Sequence, residues 1–162
     1  MTALLDQLHR CAAAVGNPHA PSFTYETVGD ALSILVGHQL YTLLVLSPDG
    51  TEVQRIHSSN PEAYPLGGRK RMGPTPWGTH VLQEQRPWMC NDAEGIRWAF
   101  PDHALIASLG LQSSVNVPVL YAGRTLGTLN ILDRAGAYSP EAMDVATLFA
   151  PFLVPGFLEA MR

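Results

Sequence analysis

A stretch rich in aromatic and polar side chains, from position 57 to position 103, has the composition of a small-molecule binding site. All three tryptophans of the chain lie between positions 77 and 98. Each supplies a large apolar wall and one N–H donor, which needs a partner when the ring is buried. Small-molecule cavities are mostly apolar and carry a few placed polar groups. The candidate ligand-binding residues of this stretch are His57, Ser59, Asn60, Tyr64, Lys70, Trp77, Cys90, Asp92, Arg97, Trp98, Phe100, Asp102 and His103.

Three polar residues interrupt apolar, strand-like sequence further along the chain. Ser114 and Asn116 are two positions apart, so on an extended strand their side chains share a face. Asn130 lies on the next such stretch and comes near them if the two stretches form a hairpin. Any single asparagine could instead bond to the backbone or face water, but the cluster favours a pocket. Ser114, Asn116 and Asn130 therefore join the candidate ligand-binding residues.

The connection that leads into the tryptophan region is basic. Positions 63–83 contain no acidic residue, and the run Arg69–Arg71 includes Lys70, the only lysine of the chain. One basic side chain held over a ligand, Lys70 first, with Arg55 or Arg97, would pair with a carboxylate or a phosphate. A solvated surface patch is the alternative interpretation for the two arginines of the run. The sequence thus favours a small ligand, with an anion as one option.

The overall composition is that of a soluble globular domain. The chain has 162 residues, 46% hydrophobic and 15% charged, which suits one domain, 1–162, with its own core. The net charge of -4 argues against a nucleic-acid surface, which needs a basic face. The first residues do not resemble a signal peptide, and no apolar run approaches the ~20 residues of a membrane span.

The cysteines indicate neither a metal site nor a disulfide framework. Cys11 and Cys90 have no metal-ligand spacing, so a reducing compartment is expected. Cys90 with Asp92 and His103 is the only conceivable metal set, and its spacing does not favour one. We therefore expect a cytoplasmic protein without a metal or a cofactor, and without nucleic-acid or membrane partners.

Hydrophobic periodicity predicts helices at both ends of the chain and strands between them. The predicted helices cover 4–15, 24–36, 79–85 and a final segment that begins at 139–141; the predicted strands cover 40–46, 52–57, 113–121 and 125–132. Ser139 begins the final helix as a capping hydroxyl, followed by proline and an acidic residue. Helices around a central antiparallel sheet make an α+β fold.

The segment from Ser113 to Leu153 resembles the C-terminal half of a GAF domain, and the order of the earlier elements fits the same fold. The matching features are Val117-Pro118-Val119, the turn glycine Gly123, Gly127-x-Leu129-x-Ile131, and Tyr138 before a helix that carries Asp144. The resemblance implies a central antiparallel sheet with N- and C-terminal helices on one face and a ligand pocket under loops on the other. The pocket region corresponds to 60–111. We predict that Tyr64, Trp77, Trp98 and Asn116 line one enclosed cavity there.

The resemblance also implies particular activities, each of which depends on residues. Free methionine sulfoxide reductases are stand-alone GAF enzymes of similar size, but the places of their cysteines, 75–78 and Ala107, hold none here. The cyclic-nucleotide signature is matched only loosely, by Asn91, Phe100 and Asp102. Bilin-binding GAF domains attach the pigment to a cysteine followed by histidine, and neither cysteine has that neighbour.

Two functions remain open. The first is a small-molecule-binding regulatory module, a ligand sensor that acts as a homodimer. The second is a small stand-alone GAF-fold enzyme for a polar or anionic metabolite, which does not use cysteine redox chemistry. Its acid–base groups would come from His57, Asp92, Asp102 or His103, with Lys70 and Asn116 holding the substrate. No nucleophile–base pair is recognisable, so binding is favoured.

The homodimer is predicted from the final helix. Its apolar residues Phe149, Phe152, Val154, Phe157 and Leu158 cannot all point inward from one straight helix at ~100° per residue. Prolines at 151 and 155 bend the helix and redirect some of these side chains. An exposed apolar strip normally marks a partner surface, and a two-fold dimer is the simplest way to bury it.

Overall fold

The computed structural model describes residues 2–162, and its centre is a sheet of six antiparallel strands. The strands are β1 (Leu40–Leu46), β2 (Glu52–Ser58), β3 (Arg69–Arg71), β4 (Trp88–Cys90), β5 (Ser113–Tyr121) and β6 (Arg124–Asp133). Their order across the sheet is β3-β2-β1-β6-β5-β4. The long strands β1, β5 and β6 therefore occupy the middle, and two strands of three residues form the edges.

Seven helices and two short helical turns surround the sheet. They are α1 (Ala3–Val15), α2 (Ser22–Leu35), α3 (Pro76–Gly78), α4 (Ala93–Ala99), α5 (His103–Ser108), α6 (Pro140–Phe149) and α7 (Val154–Ala160), with a π-helical turn (Thr79–Gln83) after α3 and a 3-10 turn (Ala150–Leu153) between α6 and α7. The Ser139 hydroxyl accepts the Ala142 N–H at 3.2 Å, so α6 begins at the predicted cap.

The main hydrophobic core lies between the sheet and helices α1, α2, α6 and α7. Alternate residues of the central strands point into it, including Leu43, Val117 and Ile131, and the helices contribute Phe149 and Phe157. This arrangement confirms the predicted α+β fold, with the terminal helices on one face. The opposite face of the sheet does not belong to this core.

Two glycines allow close packing in the helix layer. A Cβ on Gly29 of α2 would lie 2.6 Å from the Tyr41 ring, closer than side chains tolerate. A Cβ on Gly127 of β6 would overlap the Leu44 carbonyl oxygen and lie 2.8 Å from Phe157. Gly29 lowers the helix propensity of α2, but the packing of the Tyr41 ring requires it.

The opposite face of the sheet is covered by short elements between β2 and β5. One apolar cluster there contains Leu40 and Leu132 of the sheet together with Tyr64, and a second contains Trp77 and Val81. These elements are too short to form a second continuous layer. A gap therefore remains between them and the sheet, and it forms the cavity described below.

The edge strands and the final helix differ from the sequence-based predictions. Strands β3 and β4 were not predicted, because three residues are too few to show a two-residue period. The final helix is interrupted at Ala150–Leu153, and both Phe149 and Phe157 are fully buried. Of the five apolar residues considered for an exposed strip, these two belong to the core, while Phe152, Val154 and Leu158 are only partly buried. Leu148, which is 49% exposed, is the exposed large apolar residue of this segment.

The C-terminal segment also corrects the expectation about membrane spans. Pro140–Ala160 has 21 residues and contains an 18-residue window with a mean hydropathy of 1.3, which meets the length and composition criteria for a span. In the structure it lies on the sheet, with Phe149, Leu153 and Phe157 fully buried. The core helices of globular domains meet the same criteria, and this packing indicates that role.

Candidate functional site

A cavity of about 340 Å³ lies between the sheet and the segment that covers it. This volume falls within the range of small-molecule pockets, about 300–1,000 Å³. The sheet contributes Leu40, Thr42, Leu44, Val53, Arg55, Asn116, Asn130 and Leu132; the covering segment contributes Tyr64, 68–73, Thr75, Trp77, 99–102 and Ile106.

A row of buried polar side chains crosses the floor of the cavity. The register pairs Thr42 of β1 with Asn130 of β6, and Asn130 with Asn116 of β5. The Asn116 Nδ2 donates to Asn130 Oδ1 at 2.7 Å, and the Asn130 Nδ2 lies 3.4 Å from both oxygens of Thr42. The hydrogen bonds hold the three side chains in a fixed geometry on one face of the sheet. We call these three residues the polar row.

Trp77 joins the covering segment to the polar row. Its indole N–H donates to Asn116 Oδ1 at 3.2 Å, and its ring centre lies 6.0 Å from that of Phe100. The Thr75 hydroxyl caps α3 by accepting the Gly78 N–H at 2.9 Å, which fixes the turn that carries Trp77. An asparagine amide has two hydrogens, and only one of those on Asn116 has a partner among residues 2–162. The other has no partner there although Asn116 is fully buried, so an acceptor in the cavity would satisfy it.

A partly buried cation forms part of the opposite wall. The guanidinium carbon of Arg55 lies 4.8 Å from the centre of the Tyr64 ring, and Nη1 donates to the Pro65 carbonyl at 3.3 Å. Its Nε is buried and has no hydrogen-bond partner within the described chain. Burial lowers the pKa of Arg55, while Tyr64 and Asp102 oppose that change. An arginine guanidinium nevertheless keeps its positive charge in proteins.

The Tyr64–Asp102 hydrogen bond connects two parts of the covering segment. The Tyr64 hydroxyl donates to Asp102 Oδ2 at 2.9 Å. Burial, together with the nearby Asp102 carboxylate, raises the pKa of Tyr64, so the hydroxyl stays protonated and acts as the donor. The bond ties the loop before β3 to the loop between α4 and α5 and restricts the motion of both over the cavity.

Strand β3 places basic side chains along the rim. The register pairs Lys70 with Val53, and Val53 lines the cavity, so Lys70 lies on the cavity face. Arg69 also lines the cavity and lies 4.0 Å from the Glu52 carboxylate. Asp102 is the only carboxylate among the described lining residues. The cavity thus has a positive balance although the chain carries a net charge of -4.

The structure brings together about half of the residues proposed from the sequence. The proposed residues that line the cavity are Tyr64, Lys70, Trp77, Phe100, Asp102, Asn116 and Asn130. The proposed residues that do not line it are His57, Ser59, Asn60, Cys90, Asp92, Arg97, Trp98, His103 and Ser114. The cavity is therefore centred on the strand asparagines and the loop aromatics.

The prediction that Trp98 lines the cavity is wrong. Helix α4 turns Ile96 and Ala99 inward, and both are buried. Position 98 then lies on the outer side of the helix, and Trp98 is 48% exposed. Its ring stacks on Trp88, with centres 5.4 Å apart and an interplanar angle of 24°. The two rings form a surface pair outside the cavity.

Other proposed residues have structural contacts instead. His57 lies on the helix side of the sheet, 5.2 Å from the Tyr41 ring, and desolvation lowers its pKa. The Ser59 hydroxyl accepts the Tyr41 N–H at 2.9 Å, and Asn60 Oδ1 accepts the Ala63 N–H at 3.2 Å. These bonds fix the start of the loop that carries Tyr64.

The remaining proposed residues lie around the cavity rather than in it. Asp92 caps α4 through the Gly95 N–H at 2.8 Å. Arg97 is exposed on α4, and His103 is the first residue of α5. Ser114 is buried and donates to Asn116 Oδ1 at 3.4 Å, so it supports the polar row from the side.

One member of the polar row was missed from the sequence. Thr42 lines the cavity and lies 3.4 Å from the Asn130 amide. The sequence contained a signal for this position. In β1 all residues except Tyr41 and Thr42 are aliphatic, so Thr42 interrupts an apolar strand. The same criterion that identified Asn116 on β5 would have identified it.

Neither cysteine lines the cavity. Cys11 is buried in the helix layer, and Cys90 lies on the edge strand β4. Burial raises the pKa of each thiol to about 11, so both stay protonated at neutral pH and are poor nucleophiles. Within residues 2–162 no group of three or more histidine, cysteine or acidic side chains could hold a metal ion.

Solved GAF-domain structures share this fold at low sequence identity. The GAF domain of an Acinetobacter phosphoenolpyruvate-protein phosphotransferase has a TM-score of 0.77 and 15% identity, with coverage of 99% of this chain and 96% of that chain. The corresponding domain from Coxiella burnetii has a TM-score of 0.76 and 17% identity, with the same coverage. A phycocyanobilin-bound GAF domain of a cyanobacterial phytochrome has a TM-score of 0.74, 15% identity and the same coverage.

A comparison with curated protein sequences finds no match. The family model described as GAF domain, in contrast, matches residues 23–153, which include every strand and the whole cavity. The match also covers the segment from Ser113 to Leu153, which carried the resemblance in the sequence. The chain therefore belongs to the GAF domain family, whose members are small-molecule-binding sensory and regulatory domains.

Proposed function

We propose that the protein is a sensory or regulatory domain whose cavity binds a small organic anion. One observation carries the proposal: the buried polar row and a partly buried arginine line the same mostly apolar cavity. Burying a polar group costs free energy unless hydrogen bonds inside the protein replace those that it made with water. A ligand that accepts from Asn116 and pairs with Arg55 would supply the missing partners. In the similar phytochrome domain, the GAF fold binds phycocyanobilin.

The positions of the acid–base groups support binding rather than turnover. Of the groups considered for a stand-alone enzyme, His57, Asp92 and His103 lie off the cavity, and only Asp102 lines it. Asp102 already accepts the Tyr64 hydroxyl. General acid–base catalysis needs a group within hydrogen-bond reach of the substrate, with a proton to give or take. The residues that line the cavity therefore support binding of a ligand more than catalysis.

A homodimer formed through the helix layer is part of the proposal. The exposed large apolar side chains on these helices are Leu5, Phe23, Ile34 and Leu148. Apolar surface outside the core favours a partner, and a two-fold dimer would bury it without covering the cavity on the opposite face. A cytoplasmic location is also part of the proposal.

Native mass spectrometry of the purified protein tests both parts of the proposal. We expect a species of twice the 17.6 kDa chain mass, which releases a small molecule when it is unfolded. An empty protein, which also binds no member of a metabolite collection, would contradict the binding function. A monomer that retains the small molecule would contradict the dimer alone.

A further inference from the structure

We propose that the ligand is a small monocarboxylic acid with an apolar body, and that Arg55 binds its carboxylate. This inference rests on the proposed function, because it assumes that the cavity is a ligand site. Two features carry it: the edge of the Arg55 guanidinium that has no partner in the described chain, and the packing of that guanidinium on the Tyr64 ring in the cavity wall.

The unused edge is identified by the hydrogen bonds that Arg55 does make. Its Nη1 donates to the Pro65 carbonyl at 3.3 Å. Its Nε is buried without a partner, and Arg55 forms no salt bridge with a carboxylate of residues 2–162. The Nε and Nη2 groups together form the flat fork that binds both oxygens of a carboxylate. This fork has no carboxylate partner among residues 2–162, and Arg55 belongs to the lining of the cavity.

The Tyr64 ring supports this fork, and the nearby Asp102 carboxylate favours its positive charge without forming a salt bridge with it in the described chain. The guanidinium carbon lies 4.8 Å from the centre of the Tyr64 ring, so the ring supports the flat face of the cation. Asp102 is the nearby carboxylate, but it accepts the Tyr64 hydroxyl at 2.9 Å. The edge of the guanidinium is left for an incoming anion.

The rest of the cavity favours a carboxylate over a phosphate. Leu40, Leu44, Leu132 and Ile106 give most of the floor and one wall an apolar character. The basic side chains of β3 at the rim would attract a phosphate as well, but the Asp102 charge would repel a dianion more strongly than a monoanion. A planar carboxylate fits one guanidinium edge, while its apolar body lies along the leucines. A polar substituent at the far end would reach the Asn116 amide.

The test uses matched compounds and matched variants. Calorimetry or ligand-observed NMR measures the binding affinity of a set of aromatic and aliphatic monocarboxylic acids. Each acid is compared with its primary amide and with the corresponding phosphate monoester. We expect acids to bind the wild-type protein and to bind Arg55→Gln about 10- to 100-fold more weakly, as for a lost charge-assisted hydrogen bond. Arg55→Lys keeps the charge without the fork and should also bind acids more weakly. Arg97→Gln, an exposed arginine off the cavity, is the matched control and should bind as the wild type does.

Each other outcome has a definite meaning. Amides that bind as tightly as their acids, or acids that bind Arg55→Gln unchanged, would overturn this inference and leave the binding function standing. Phosphate monoesters that bind more tightly than the acids would assign the site to phosphate instead. If no compound binds but a small molecule is released in native mass spectrometry, a molecule without a carboxylate overturns the inference and one with a carboxylate supports it. No binding together with an empty protein would overturn the proposed function as well.

Discussion

Gly127→Ala is expected to cost about 3 kcal/mol or more of folding free energy, which would leave much of a marginally stable domain unfolded. Gly127 lies on β6 between β1 and β5 and pairs with Val45 and Val119. A Cβ at this position would overlap the Leu44 carbonyl oxygen and lie 2.8 Å from the Phe157 ring. The carbonyl belongs to the neighbouring strand and cannot rotate away. The sheet would have to separate there, between two of its central strands.

Urea denaturation followed by circular dichroism measures this cost. Gly16→Ala is the matched control, because a Cβ there meets only the Ala13 carbonyl oxygen at 3.8 Å, an ordinary contact. We expect the control to unfold close to the wild-type midpoint. A Gly127→Ala protein that unfolds as cooperatively and as late as the control would contradict the packing described for β1, β6 and α7.

Asn116→Ala is expected to cost about 2–6 kcal/mol of stability, because it leaves the buried Trp77 and Asn130 groups unsatisfied at about 1–3 kcal/mol each and also removes the long bond from Ser114. Asn116 accepts the Trp77 indole N–H at 3.2 Å and donates to Asn130 at 2.7 Å. The same change removes the amide hydrogen that we assign to the ligand. Retention of a bound small molecule should therefore fall together with stability.

A second substitution separates these effects. Trp77→Phe in the Asn116→Ala background removes the orphaned indole N–H and should recover part of the lost stability, a coupling that urea denaturation of the double-mutant cycle measures. Asn17→Ala, which removes only an exposed hydrogen bond to His19, is the matched control and should cost little. If the effects of Asn116→Ala and Trp77→Phe simply add, the bond between the two residues does not stabilise the fold as described.

The fold could be predicted from the sequence where the strands and helices were long enough to show a hydrophobic period. Strands β5 and β6 contain 9 and 10 residues, so their periods and the turn at Gly123 were visible. The edge strands β3 and β4 have three residues each, and their pairing depends on partners that are distant in sequence. No local pattern could have shown that Lys70 pairs with Val53.

The site was predictable only in part, for a similar reason. Asn116 and Asn130 are polar residues on buried strands, and that contrast marks the floor of the cavity. The covering segment is built from loops and short helices, in which the next residue along the chain can point to the solvent instead of the cavity. The pattern of Ile96 and Ala99 would have placed Trp98 outside, had the short helix α4 been recognised. Clustering in sequence was a poor guide to clustering in space there.

The central claim is that the cavity of Trp77 and Asn116 is the ligand site. An NMR titration that follows the indole N–H signals of the three tryptophans tests this claim most directly. The probe is the molecule released in native mass spectrometry or the tightest-binding monocarboxylic acid, and Trp→Phe variants assign the signals. We predict that the Trp77 signal moves with saturation, because its N–H is bonded to Asn116, while that of the exposed Trp98 stays in place. A ligand that saturates the protein and moves the Trp98 signal but not that of Trp77 would contradict the claim.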